Sequence, residues 1–225
     1  MVRVIGLIAV LAGGPIAGSQ STPPKAPPGC RTYSTHETRA IATPLGPAAT
    51  VVQKCAYNRA TNQFTCRGDH RSAASTYAYE MTFTFATVDD FLGNPDRVIL
   101  FGHPQRMTMR HTGAGVNLLS HATYTYDAAG RLTRLAIDTA GRKSDEIFTA
   151  WDSVGRPTAA TAGAVLMAYS YDDAKRIGRM TNKSAGTVVV KRFDVNGIEI
   201  GDEQSGPAGT VTNTWTIHST ATICR

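Results

Sequence analysis

The sequence predicts an all-β protein with little helix, an antiparallel meander of hairpins forming an open or curved sheet. Three observations predict it. Only 18% of the residues are charged against 42% hydrophobic, and no stretch of a dozen residues carries the apolar stripe of a surface helix. Between residues 77 and 86 the chain alternates Tyr77, Tyr79, Met81, Phe83 and Phe85 with Ala78, Glu80, Thr82, Thr84 and Ala86, the period of a strand packing one face on a core. From residue 124 onward a short turn pattern recurs.

The chain begins with a secretory-type segment, residues 1–19: Arg3, an apolar run from Val4 to Ala12, then Ala17 and Ser19 at the minus-three and minus-one places of a cleavage site. Residues 20–29 form a linker in which Pro23, Pro24, Pro27 and Pro28 favour an extended backbone. The folded part is expected as one continuous domain, an N-terminal β region over 30–119 and a repeat region over 120–225. A hairpin is expected around Asn58 to Asn62, and the apolar run from Val98 to Phe101 reads as a further strand.

Export to the periplasm or beyond makes disulfides available to the four cysteines. Three pairings are open to them. The expected hairpin sets Cys55 opposite Cys66, which leaves Cys30 and Cys224 to tie the ends of the domain. No CxxC and no His at ligand spacing from a Cys supports a metal site, and no metal or cofactor is expected. The formal net charge of +6 is spread along the chain rather than clustered, so neither nucleic acid nor a stable membrane anchor is expected.

The repeats are Tyr126-Asp127-Ala128-Ala129-Gly130-Arg131, Ile137-Asp138-Thr139-Ala140-Gly141-Arg142 and Trp151-Asp152-Ser153-Val154-Gly155-Arg156, with weaker copies at Tyr171-Asp172-Asp173-Ala174-Lys175-Arg176 and Phe193-Asp194-Val195-Asn196-Gly197-Ile198. An Asp opening a type I turn accepts from the amide two residues on, and Gly at the fourth place supplies a positive φ. The Arg that follows can lay its stem on an aromatic neighbour. Lys175 in the place of Gly predicts a different turn in the fourth unit.

Tyr124-Thr125-Tyr126-Asp127-Ala128-Ala129-Gly130-Arg131-Leu132-Thr133 resembles the YD repeat of the rearrangement-hotspot (Rhs) family, over about residues 120–204. The resemblance implies a strip of antiparallel hairpins. Five units are too few for the closed shell of that family, so an open strip is expected, with aromatic rows and strand edges free to bind a glycan or another envelope or secreted protein. Tyr124, Tyr126, Trp151, Tyr169 and Tyr171 are the candidate contact residues.

No GxSxG, HExxH, Walker or dinucleotide-binding motif occurs, and no catalytic residue is assigned. The expected function is a structural or binding module rather than an enzyme. Its rivals are an exported hydrolase with Asp and His residues gathered by folding, and an accessory fragment of an Rhs-type toxin system. Smaller signals are His103, His111 and His121, the tripeptide Arg67-Gly68-Asp69 expected in a loop, and the oxygen-rich set Asp194, Asn196, Glu199, Asp202 and Glu203.

Overall fold

Fourteen strands and one short helix follow one another in the computed structural model, which describes residues 24–113 and 116–225. The first strands are β1 (Cys30–Thr43), β2 (Gly46–Asn58), β3 (Gln63–Ser72) and β4 (Thr76–Thr84), followed by helix α1 (Val88–Leu92). Then come β5 (Arg106–Gly113), β6 (Val116–Tyr126), β7 (Leu132–Thr139), β8 (Arg142–Trp151) and β9 (Pro157–Ala162). The last are β10 (Val165–Asp172), β11 (Ile177–Asn182), β12 (Thr187–Phe193), β13 (Glu199–Gly206) and β14 (Gly209–Cys224). The expected secretory segment, residues 1–19, and the start of the expected linker lie outside the described residues.

Each strand pairs antiparallel with its neighbours in sequence, and β1 pairs with β14 to close the sheet into a barrel. The expected all-β class is present; the expected open strip is not. Closure comes from the two ends of the sequence, where strands of 14 and 16 residues run together from Cys30↔Cys224 to Ala42↔Thr212. Joining them gives backbone partners to both edge strands of the meander and removes the free edges an open sheet would expose.

The Asp-x-x-Gly motifs locate one rim of this barrel. At Asp127 the carboxylate accepts from the amides of Ala129 and Arg131, both at 2.9 Å, while Gly130 N donates to Asp127 O and Gly130 takes φ +76°. Asp152 repeats this with Val154, Gly155 and Arg156, and Asp194 with Asn196, Gly197 and Ile198. The Arg131 amide and then its guanidinium hold the Asp127 carboxyl below the usual carboxylate range. The arginines cover the next aromatic along the rim: Arg131 lies 4.8 Å from the Trp151 ring and Arg156 4.3 Å from that of Tyr171.

Two of the five units depart from this geometry. In the second, Thr139↔Arg142 closes a two-residue loop with positive φ at both Ala140 and Gly141, and that hairpin stands on the opposite rim. In the fourth, the positive φ has moved from the position of Lys175 to Arg176, so this turn is of another kind. The uneven spacing of the motif thus mixes two rims; along one rim the repeat is a strand pair.

Gly130→Val is expected to destabilise the barrel by about 1–2 kcal/mol, since a β-branched residue resists a left-handed φ even though the space around Gly130 is open. Ala129→Ser at a free turn position should be nearly silent. Urea denaturation of both variants measures the contrast, and equal midpoints would refute the turn geometry.

A barrel of fourteen strands has a wider bore than the inward side chains of short strands fill. The segment 85–105 between β4 and β5 enters the same rim as a plug. Thr87 and Asp90 form a capping box that starts α1, and Phe91 and Leu92 are buried from it. The run Val98 to Phe101, expected as a strand, is irregular backbone inside this plug. Its hydrogen bonds go to side chains instead of a ladder: Val98 N donates to Asp173 Oδ1 at 2.8 Å, and Val98 O accepts from Arg156 Nη1 at 3.1 Å. Leu100 and Phe101 pack on a core cluster that includes Leu132, Leu135, Phe148 and Tyr169, while Phe85, Phe91 and Leu92 form a second cluster with Tyr33, Tyr57 and Phe64.

Candidate functional site

Alternation fixes which side chains the barrel encloses. Across β4, β3, β2 and β1 the paired rows Phe83, Phe64 and Tyr57, then Met81, Cys66 and Cys55, then Tyr79, Gly68, Gln53 and Glu37 share one face. Cys55 and Cys66 are bonded within this wall, and Cys30 and Cys224 are bonded at the closing seam, as the sequence led us to expect. Two disulfides are compatible with an oxidising compartment.

Between this wall and the plug lies a half-enclosed cavity of about 270 Å³. Its apolar side is made of Tyr33, Phe64, Met81, Phe83, Phe85 and Phe91. Its polar side brings Ser34 and Glu37 of β1 together with Gln53 of β2, Glu199 of β13 and Trp215 of β14. A chain of hydrogen bonds crosses the floor: the Tyr79 hydroxyl donates to Gln53 Oε1, and Gln53 Nε2 donates to Glu37 Oε1. Gly68 leaves the space that the Tyr79 ring occupies, since a Cβ there would stand 2.8 Å from the ring.

Burial sets the electrostatics of this floor. Desolvation pushes the Glu37 carboxyl up against the lowering contacts with Ser34, Gln53 and Arg39, and it pushes Tyr79 to about 12. Glu199 is also raised by desolvation, although Lys191 Nζ donates to it at 2.8 Å. Beside it Asn213 Nδ2 donates to Asp202 Oδ1 at 2.6 Å, and the Arg39 guanidinium lies 5.4 Å from the Trp215 ring.

The five aromatic candidates lie elsewhere on the inner face. Tyr169 is buried and donates to Glu146 Oε1; Tyr124, Tyr126, Trp151 and Tyr171 are partly buried and pack against the same cluster. The Tyr126 hydroxyl donates to Pro104 O at 2.9 Å and Trp151 Nε1 to Leu132 O at 2.9 Å. Tyr126 and Tyr171 also edge a groove of about 580 Å³ on the rim, beside Arg131, Arg156 and His103. Each arginine there is matched by a carboxylate, Arg131 by Asp127 and Arg156 by Asp152 and Asp173.

The smaller signals separate in space. His103 stacks on Tyr126 in the plug, His111 faces Tyr77 inside the barrel, and His121 lies near Thr108. Arg67-Gly68-Asp69 runs through the middle of β3 instead of a loop, with Arg67 paired to Glu80. Among the described residues no group of three or more His, Cys, Asp or Glu is placed to hold a metal ion, and Asp194 is occupied by its own turn. No family model matches the chain, and no curated protein matches it either.

The sequence reading missed Glu37 and Gln53, and it singled out Glu199 only within the oxygen-rich set around Gly197. Their signal was alternation: Glu37 and Arg39 in β1, and Asn213, Trp215 and Ile217 among the threonines of β14, place polar and apolar side chains on one face.

Glu146 gives a pH test of the inner face. Burial lifts its carboxyl to about 7, so between the unfolded value of about 4.3 and about 7 the folded state holds a proton that the unfolded state has lost. This contribution to stability is full below that window and is lost as the pH rises through it. Glu146→Gln, which keeps an acceptor for Tyr169, is expected to gain on the parent by roughly 1–3 kcal/mol between pH 4.5 and 8. Equilibrium unfolding at both pH values reads the difference, and the same difference at each would refute a neutral buried carboxyl.

Proposed function

We propose that the chain is an exported binding module without turnover, a short member of the YD-repeat proteins whose barrel holds a small ligand between plug and wall. The observation that carries the reading is the cavity itself, where an aromatic wall meets the polar floor of Glu37, Gln53 and Ser34. Ligand sites combine an apolar lining with a few placed polar groups in this way. The outward faces support a barrel that works in water: Arg134 pairs with Asp145 at 2.8 Å and Arg67 with Glu80 across neighbouring strands, where a membrane barrel carries an apolar belt. Two disulfides and the apolar first segment agree with export.

The test is a thermal-shift and Trp-fluorescence screen of the mature protein against small amphipathic molecules, cell-wall glycans and hydrolase substrates. A saturable response without product is expected, and Met81→Phe, which narrows the cavity, should weaken it. Product formation lost on changing an Asp or His would replace this reading with the hydrolase; a response unaffected by Met81→Phe would move the site off the cavity.

A further inference from the structure

We propose that the ligand of this cavity is an organic cation with an apolar body, its ammonium or guanidinium head against Glu37 and Ser34 and its body against the rings of the plug and wall. The inference rests on the cavity being the ligand site. Three observations on its lining lead to a cation rather than to a neutral or anionic ligand.

The first is the charge balance. Of the carboxylates that line the cavity, Glu199 is paired with Lys191, and Asp90 is taken up in the capping box, where Thr87 N and Oγ1 donate to it. Glu37 is only 4% exposed and is held by the neutral amide of Gln53. Among the described residues no Lys or Arg comes within salt-bridge distance of it; the Arg39 charge lowers its carboxyl from farther off and is itself paired with Asp202 at 3.6 Å. Of the lining cations, Arg97 faces Asp173 at 3.4 Å, and Arg31 is turned to the plug, where its Nη1 donates to Phe91 O and its guanidinium lies over the Phe91 ring. A desolvated carboxylate without a cation is costly, and a bound cation offsets that cost.

The second is Ser34. Its residue is 6% exposed, and its hydroxyl, near enough to Glu37 to lower the carboxyl, makes no hydrogen bond of good geometry. Buried hydroxyls are satisfied in nearly all proteins, so a hydroxyl that leans on Glu37 without a full partner is one that a proton donor drawn to that carboxylate would complete. A primary or secondary ammonium, or a guanidinium, has a proton to give it.

The third is the wall. Tyr33, Phe64, Phe85 and Phe91 meet edge to face or tilted, with centroids 5.4 to 5.8 Å apart, and all four line the cavity. Ring faces attract cations. The wall already does so once: the Arg31 guanidinium carbon stands 5.2 Å from the Phe91 centroid. An anion would meet Glu37 unfavourably. The rim groove lacks such an opening, because its arginines are already matched by Asp127, Asp152 and Asp173.

Calorimetric titration with benzylamine and benzyltrimethylammonium, their neutral counterparts toluene and neopentylbenzene, and phenylacetate tests the charge requirement. The cations are expected to bind at least about tenfold more tightly than the neutral probes, and phenylacetate most weakly. Glu37→Gln, of the same volume, should bring cations and neutral probes to within about threefold of one another, chiefly through weaker cation binding. Ser34→Ala should weaken benzylamine more than the quaternary probe, which has no proton to give. Equal binding of cations and neutral probes, or a cation preference that survives in Glu37→Gln, would overturn the inference and leave the cavity as an apolar ligand site. Failure of every probe to bind the folded parent would overturn the cavity reading with it.

Discussion

Phe91→Ala is expected to destabilise the protein by about 3–5 kcal/mol, the range for a large side chain removed from a core that relaxes incompletely. Phe91 is 2% exposed, its ring stacks on Tyr57 at 4.0 Å, and it touches Tyr33, Phe64 and Phe85. It also sits on a helix of five residues, far too short to persist without docking, so the ring is what holds α1 in the rim. Its removal should therefore loosen a segment as well as cost free energy. Urea denaturation gives the first effect and amide hydrogen exchange the second, with protection falling across 85–105 before it falls in β6–β10. Phe91→Leu, which keeps most of the apolar volume, should cost well under half as much. A loss below about 1 kcal/mol for the alanine variant would mean that the plug is not docked through this ring.

Local chemistry made part of this fold legible and long-range chemistry hid the rest. The alternation at Tyr77 to Phe83 specified a strand and its buried face by side-chain period alone, and Cys55 and Cys66 flanked a turn closely enough to be paired by eye. Asp-x-x-Gly specified three turns because each Asp bonds within its own turn, to the amides two and four residues on and, at Asp127 and Asp152, to the guanidinium of the Arg four residues on. Val98 to Phe101 misled for the opposite reason. An apolar run reads as a strand unless something else satisfies its backbone, and here the partners are Arg156 and Asp173, 58 and 75 residues away. Closure was hidden in the same way: β1 and β14 lie at opposite ends of the sequence, outside the repeat, and their threonine-rich outer face carries no pattern naming a partner. The cavity floor combines both difficulties, since Glu37 and Glu199 come from strands that only the closed barrel brings to one space. The Glu146→Gln and Gly130→Val tests probe the local part; the seam probes the rest.

Replacing both Cys30 and Cys224 by Ser should destabilise the protein by about 4–5 kcal/mol, and replacing Cys55 and Cys66 by Ala should cost about 3 kcal/mol through chain entropy. The order follows from loop length: the seam bond spans 194 residues and the wall bond 11, and closing the longer loop removes more freedom from the unfolded chain. The seam bond has a second role that the wall bond lacks. Cys30↔Cys224 is the outermost pair of the β1–β14 ladder, beside Thr32 and Thr222, whose hydroxyls bond at 3.0 Å. Opening it should let β1 fray from the rim inward, towards the bulge between Ser34 and His36 and so towards Ser34 and Glu37. The seam variant should therefore lose ligand response at denaturant concentrations where Trp fluorescence still reports a folded barrel, whereas the wall variant should lose both together. Denaturation midpoints and probe titrations on the two variants decide it. Equal midpoints would show that the unfolded chain is already compact enough to make loop length irrelevant, and coincident loss of binding and fold in the seam variant would show that the barrel opens as a single unit.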